Sequence, residues 1–298
     1  MVSKQSINIF QYFTPEAQVD SSDENIFICK ILNSTPALEA NSYYFGHQEW
    51  GKNYLEACHR GEKFIDLWQT IVGSWQDKIV VDIGWGPGNL YASLKEHCGQ
   101  PKLLLGVDVS HGALKIAQQL GYTPILADAQ DLPFVSGFAD IVMANACLHH
   151  CDDMTKTLAE AARLVRPGGL LITDHDPQRT AYDFRGLGLL LWQTRLPLYR
   201  LLRRGGHSTT QEQFWCLATE VHHKPGDGVT PELYKQILEP LNFTVDLYPH
   251  NHTTGAETLK GKYGKSFWKC RLAQRLSGIN ADSPEAALSL MCVASRKN

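Results

Sequence analysis

Short apolar runs along this chain alternate with stretches in which apolar residues recur at helical spacing. The clearest run lies in Lys78–Leu90, where Ile79, Val80, Val81 and Ile83 read as a strand buried on both faces. It stops at Gly84-Trp85-Gly86-Pro87-Gly88, and a helical pattern begins near Asn89. Leu103–Asp108, Thr123–Ala127, Ala139–Ala144 and Leu170–Thr173 repeat the rhythm, with helical patterns through Leu94, over 111–120 and from Asp152 or Asp153 to about Val165. Arg166-Pro-Gly-Gly169 reads as the break before the fifth of these strands. Five strands alternating with helices predict an α/β fold built on a parallel, doubly wound sheet. A helix over 231–239, a strand over Phe243–Leu247 and a terminal strand over Ala287–Ala294 follow.

The flanking segments are less regular. Residues 1–40, with Pro15, Pro36 and the polar run Asp20–Glu24, read as an irregular or partly helical lead-in. Asn41–Trp50 is dense in aromatics and runs into a helical pattern to about Val72, with Phe64, Ile65, Leu67, Trp68, Ile71 and Val72 on the buried side. Tyr43, Tyr44 and Trp50 read either as a packing cap or as a lid whose rings face a cationic ligand. Residues 178–229, with Arg185–Trp192 and Arg195–Arg204, exceed a minimal α/β unit and read as an insertion closing over substrate. A membrane-surface contact is the alternative, opposed by a short apolar run that Pro197 breaks. A second insertion, 248–286, carries Tyr248–His252 and a basic helix with Lys265, Lys269, Arg271 and Arg275. Phe267, Trp268, Leu272 and Leu276 are expected to pack that helix on the core.

Composition narrows the function classes. The 298 residues fit one large domain with insertions, 43% hydrophobic and 20% charged, with a formal net charge of -3. No broad basic surface for nucleic acid is implied. No apolar run is long enough to span a bilayer, and the start Met1–Ser6 lacks an apolar signal core. The eight cysteines, Cys58 among them, form no Cys-x-x-Cys pair and read as reduced thiols of a cytoplasmic protein.

Candidate chemistry sits at the strand ends. Glycines at a strand-to-helix turn let the backbone approach a ligand, and the helix start offers amide donors. Asn89 stands where a dinucleotide fingerprint needs its third glycine, and Asp82 inside the strand suits a positively charged ligand end better than a pyrophosphate. Asp108 ends the second strand about 20 residues beyond the glycines, where such folds bind ribose hydroxyls. Asp128 reads as a ligand contact or as a turn residue. Cys147, His149, His150 and Cys151 are metal-ligand types, but adjacent histidines are expected to diverge, so no metal site is assigned. His175 stands between Asp174 and Asp176 at a strand's carboxyl end, as an imidazole base oriented by a carboxylate would.

Asp82-Ile-Gly84-Trp-Gly86-Pro-Gly88 resembles motif I of the class I S-adenosylmethionine-dependent methyltransferases. Asp108, Asp128-Ala129, Leu148-His149-His150 and Arg166-Pro-Gly-Gly follow in that family's order, and the pattern is similar to its small-molecule, quinone-methylating branch. The resemblance implies a Rossmann-like seven-stranded sheet, six strands parallel and the last antiparallel, in residues 76–298 behind an N-terminal helical cap in 1–75. It implies S-adenosyl-L-methionine as cofactor, released as S-adenosyl-L-homocysteine. It places Asp82, Gly84, Trp85, Gly86, Gly88, Asp108, Val109, Asp128, Ala129 and Asn145 around that cofactor. His175, His149 and Tyr43 are the catalytic candidates. Trp85 departs from the family's usual small residue or cysteine, packing either beneath the turn or into the donor's pocket. The expected reaction is methyl transfer to O, N or C of a partly apolar small metabolite, with no nucleic-acid partner and no integral membrane association. An NAD(P)-dependent oxidoreductase and a methyltransferase acting on a lipid or quinone at a membrane surface are the alternatives.

Overall fold

The computed structural model describes residues 8–298 apart from 24, 58 and 204–206, so Met1–Ser6, Glu24, Cys58 and Arg204 lie outside the described residues. The body of its single sheet is formed by β3 (Ile79–Ile83), β4 (Leu103–Asp108), β5 (Thr123–Leu126), β6 (Ala139–Asn145), β7 (Val165–Asp174), β8 (Phe243–His250) and β9 (Ser289–Arg296). These strands lie in the order β5-β4-β3-β6-β7-β9-β8. β9 is antiparallel to both neighbours and the other pairs are parallel. From β3 the chain steps to β4 and β5 on one side, and later returns to β6 on the other. That reversal opens a crevice at the carboxyl ends of β3 and β6.

The expected seven strands become nine. β1 (Val19–Asp23) and β2 (Ile26–Cys29) form a hairpin whose second strand lies parallel to β5 through Phe27 and Ile125. The lead-in expected to be irregular is therefore part of the sheet. Its signal is weak because β2 is only four residues long, and the turn is made by Asn25 at φ 71° rather than by a glycine. Arg166–Gly169 is the start of β7 and not a break before it. Gly168 sits at φ 72°, and the pairing register with β6 slips between Ala139 and Ile141.

Helices cover both faces, which explains why Ile79, Val80 and Val81 follow one another in β3 without alternation. Val81, Leu105, Val142, Phe134, Leu158 and Leu164 fill one side, and Val80, Leu104, Ile141, Trp68, Trp75 and Leu94 the other. The helical pattern expected up to Val72 divides into α1 (Pro36–Gly46), α2 (Gln48–Ala57) and α3 (Glu62–Val72). Thr35 caps α1 by accepting from the Leu38 amide, with Pro36 in the first turn. α4 (Asn89–Cys98), α5 (His111–Gln118), α6 (Met154–Leu164) and α9 (Pro231–Leu238) complete the alternation. Asp153 caps α6 through the amides of Thr155 and Lys156.

The first insertion carries α7 (Gly186–Leu201) and α8 (Thr210–Thr219), and the second carries α10 (Trp268–Leu276). α7 runs through Pro197 without breaking. The expectation for α10 fails: Phe267, Trp268, Leu272 and Leu276 are exposed, while Ala273 and Gln274 are buried. The helix packs by its small side, because Gly188 of α7 leaves room for the Ala273 carbonyl and Ser277. Gln274 donates to the carbonyls of Ala181 and Ala286.

Trp85 is buried beneath the glycine turn, edge-on to Tyr122 and flat against β4 at Gly106, where a Cβ would run into its ring. The bulky residue is accommodated by an absent one on the neighbouring strand. Gly106→Ala is expected to destabilise the protein by about 1–3 kcal/mol through overpacking. Urea unfolding measures this, and an unchanged midpoint would show that the indole does not fill that space.

Candidate functional site

Two adjoining cavities open at the carboxyl ends of the central strands. The first holds about 780 Å³ of space with its open mouth included. Asp82, Gly84, Trp85, Gly86, Asn89, Asp108, Val109, Asp128, Ala129, Asn145 and Cys147 form its floor, and Phe45, Tyr54 and His59 close it from the N-terminal helices. Gly84, Gly86 and Gly88 lie at φ 65°, 54° and 96°, a region that side chains with a Cβ avoid. A Cβ on Gly84 would collide with Cys147, whereas Gly86 has open space in front of it. Gly88 caps α4 behind them and does not line the cavity.

Asp108 is clamped by backbone amides, its carboxylate accepting from Gly86 at 2.7 Å and from Ser110 at 2.7 Å. Burial pushes its carboxyl up to about 6 against the pull of those amides and of Val109. Asp82 is driven well above the usual carboxylate range by burial and then by Asp108. Its Oδ2 has no hydrogen-bond partner, and neither has Oδ1 of Asn89 or of Asn145. The amide of Asn89 donates to the Tyr54 carbonyl, and that of Asn145 lies 3.2 Å from His59 Nε2. Three unpartnered buried acceptors thus line one cavity, which calls for a ligand rich in donors or positive charge. Asp128 accepts from the Gln130 amide at 2.9 Å in a local turn while lining the wall.

The second cavity shares Phe45, Tyr54, His59, Ala146 and His150 with the first. It adds Tyr44, His149, His175, Tyr182, Cys216, Glu220, His223 and His252. His59, Ala146, His175 and His252 are non-glycine residues at φ between 52° and 63°, a strain that gathers at functional sites. Both insertions contribute to this wall, the first through Tyr182, Cys216, Glu220 and His223 and the second through His252.

The two acids flanking His175 serve other histidines. Asp174 accepts from His250 Nε2 at 2.6 Å and from the His175 backbone amide. The His175 ring lies 3.1 Å from Asp174 Oδ2 without hydrogen-bond geometry, and its Nδ1 is unpartnered. Asp176 accepts from the His149 backbone amide at 3.0 Å and holds His149 Nδ1 at 2.8 Å. Burial alone would raise both carboxyls. His250 and His175 hold Asp174 well below its ordinary range, while Asp176 is pushed up to about 7. Burial also pushes His149 and His150 down to about 4 and His59 to about 3, so all three are neutral at pH 7.

Tyr43 does not belong here. It points to the outer side of α1 at 42% exposure, packs on Trp215 and takes a hydrogen bond from Gln211. Trp50 stacks on His47 away from both cavities. Tyr44 and Phe45 of the aromatic segment and Tyr54 of α2 face the cavities instead. Helical spacing could have separated these faces, since Tyr43 and Phe45 lie two residues apart. Glu220, His223 and His252 had no local signal beyond a recurrence of histidine in the insertions. The adjacent His149 and His150 do not diverge as expected, because a 3₁₀ turn brings their ring centroids to 3.9 Å.

Comparison with known proteins bears on the first cavity. Residues 81–173 match the family model described as a methyltransferase domain. A demethylmenaquinone methyltransferase of Geobacillus kaustophilus is 25% identical over 167 residues, 53% of this chain and 69% of that protein. A ubiquinone/menaquinone biosynthesis C-methyltransferase of Psychromonas ingrahamii is 26% identical over 55% of this chain and 65% of its own. An Arabidopsis thaliana tRNA (carboxymethyluridine(34)-5-O)-methyltransferase is 33% identical over 97 residues, 32% of this chain and 23% of that protein. The chain thus spans between about a quarter and about two thirds of the length of these relatives. Among solved structures, the plantazolicin methyltransferase BamL, in complex with a triazolic desmethylPZN analogue and S-adenosylhomocysteine, shares the fold. Its TM-score is 0.52 at 18% identity, over 88% of this chain and 96% of that one. Fold order, glycine turn and matched family model agree: this chain carries a class I S-adenosylmethionine-dependent methyltransferase domain.

Proposed function

We propose that the protein holds S-adenosylmethionine in the first cavity and methylates a partly apolar small metabolite in the second. The observation that carries this is the set of unpartnered buried acceptors, Asp82, Asn89 and Asn145, beside a glycine turn that stays open at Gly86. Asp108 would take ribose hydroxyls, Asp128 and the Ala129 amide would take the base, and Asp82 would face the charged amino-acid end. When bound, the donor supplies a methyl group on a positively charged sulfur, open to in-line displacement. The chain contributes orientation, which provides roughly 7–11 kcal/mol in such reactions, against about 10²–10⁴-fold from a positioned base. The cap is α1 and α2, which close the first cavity over a catalytic unit of residues 76–298, while β1 and β2 of the lead-in extend that unit's sheet. The relatives' names support an acceptor with an apolar ring system. The tRNA relative matches over only 97 residues, and the net charge of -3 offers nucleic acid no attraction.

S-adenosylhomocysteine is expected to bind the purified protein in calorimetric titration and NAD is not; the reverse outcome would establish the oxidoreductase reading. Asp108→Ala should weaken that binding about tenfold or more. Asp82→Asn should weaken it too, with an opposite effect on the free protein. The folded carboxyl titrates above its ordinary value of 3.8, so its contribution to stability is full below that pH and is lost as pH rises toward the folded value. The amide has no such slope, so the variant should gain stability relative to the parent between acid and neutral pH.

His175, whose ring lines the acceptor cavity with its Nδ1 turned to Asp174 Oδ2 at 3.1 Å, is the candidate base. His175→Ala should lower turnover of a protonated acceptor by about 10²–10⁴-fold while leaving S-adenosylhomocysteine affinity intact. Full turnover at every pH would exclude the role.

A membrane-surface acceptor is favoured by one observation. α7 exposes Leu187, Leu190, Leu198 and Leu201, and its neighbour α10, whose start follows Phe267, exposes Phe267, Trp268, Leu272 and Leu276. No helix of the described residues is long and apolar enough to cross a membrane, so contact would be with the surface. The protein should co-sediment with phosphatidylglycerol-containing vesicles, and Phe267→Glu with Trp268→Glu should release it. Sedimentation equal to that without vesicles would remove this reading.

A further inference from the structure

His149, His150 and Glu220 each turn one ligand-type atom toward the others, and all three atoms lie within 4.8 Å of one another. The histidines come from the 3₁₀ turn after β6, and Glu220 from the end of α8 about 70 residues later. Both imidazoles have their other nitrogen engaged. His150 Nδ1 lies 2.7 Å from the Thr219 carbonyl, which can only accept, so the hydrogen is on Nδ1 and Nε2 carries a lone pair. His149 Nδ1 faces Asp176 at 2.8 Å, and its Nε2 looks toward Glu220 at 3.8 Å. An imidazole fixed by a carboxylate or carbonyl on one side and baring its lone pair on the other is the usual arrangement of a metal-bound histidine.

We propose that His149, His150 and Glu220 bind one divalent transition-metal ion at the junction of the two cavities. Three acceptors converging at a site where His149 is buried and His150 and Glu220 are half-buried repel one another unless a positive charge stands between them. Two imidazoles and one carboxylate suit zinc, iron(II) or cobalt(II), whereas magnesium and calcium prefer all-oxygen sites. The 3.8 Å separation exceeds by a few tenths of an ångström the ligand spacing of a tetrahedral site with bonds of about 2.0–2.1 Å. Side-chain rotation on metal binding would have to close that gap, the three ligand atoms lying within 4.8 Å of one another. His223 Nδ1 lies 2.6 Å from Glu220 Oε2 and orients the carboxylate. Three protein ligands leave a coordination position open, as at catalytic rather than structural centres. Because His150 lines both cavities, that open position would take an acceptor bearing a thiol, a phenol or an imidazole nitrogen. The surplus of histidines around the acceptor cavity thereby gains a reason that methyl-donor binding alone does not give.

The test is calorimetric titration of the full-length, chelator-treated protein with Zn²⁺, repeated with Co²⁺ while recording visible absorption. One equivalent should bind, and Co²⁺ should give the intense bands of a low-symmetry nitrogen–oxygen site. His149→Ala, His150→Ala and the isosteric Glu220→Gln should each lower affinity at least tenfold, and Asp176→Asn, which removes no ligand, about 10–100-fold. Exposed His97→Ala should change nothing. S-adenosylhomocysteine affinity, measured on the same samples, reports folding and donor binding separately, so the metal assignment can fail while the methyl-donor reading stands, and the reverse. Absence of saturable binding by the parent protein, or binding that survives all three ligand variants, overturns the proposal.

Discussion

Asp174 and Asp176, both fully buried at the carboxyl end of β7, are the constraint on which the acceptor side depends. A buried carboxylate is costly unless its oxygens are filled. Through Oδ1 each draws in groups from distant parts of the chain, His250 from β8 and Ser289 from β9 on Asp174 and His149 from the turn after β6 on Asp176, while each Oδ2 stays without a hydrogen-bond partner. Each hydrogen bond to a charged group contributes roughly 1.5–3 kcal/mol, and losing a partner leaves a desolvated charge behind. The two acids stand two residues apart yet respond oppositely, Asp174 held low by two histidines and Asp176 raised by burial. That contrast in environment is a mark of sites that manage protons.

The donor side is organised differently. It depends on the β3–α4 turn and on the acid at the end of β4, both belonging to the minimal parallel sheet. Asp108 ties the turn to its neighbouring strand through the Gly86 amide. Trp85 fills the space under the turn against Gly106, so the residue least expected in this motif acts as its footing. The two insertions leave this half alone and converge on the other, where Glu220, His223 and His252 meet. A rigid sheet with tolerant loop positions allows the two cavities to be built from separate parts of the chain.

The exposed apolar faces of α7 and α10 follow from the same economy. The two helices meet through Gly188 and the Ala273 carbonyl, a contact made by small groups, so the large side chains of α10 are left outside. Hydrophobicity at helical spacing predicts a buried face only when nothing smaller offers a closer approach, and here something does.

The sequence by itself determined the parallel body of the sheet, the glycine turn and the positions of Asp82, Asp108, Asp128 and Ala129. Each of these is set by a few consecutive residues: a β-branched run, a left-handed glycine, an acid at a strand end. It left the N-terminal hairpin hidden, because strands of five and four residues have too little pattern to stand out. It misplaced Tyr43, since two residues along a helix change which way a ring points. Only the tertiary structure assigned Asp174 to His250 and Asp176 to His149, and only it brought Glu220 to His149 and His150. Those partners are separated by up to 76 residues; Asp176 meets His149 because β6 and β7 are paired, and Glu220 and His250 arrive by the packing of the insertions, which no local pattern encodes.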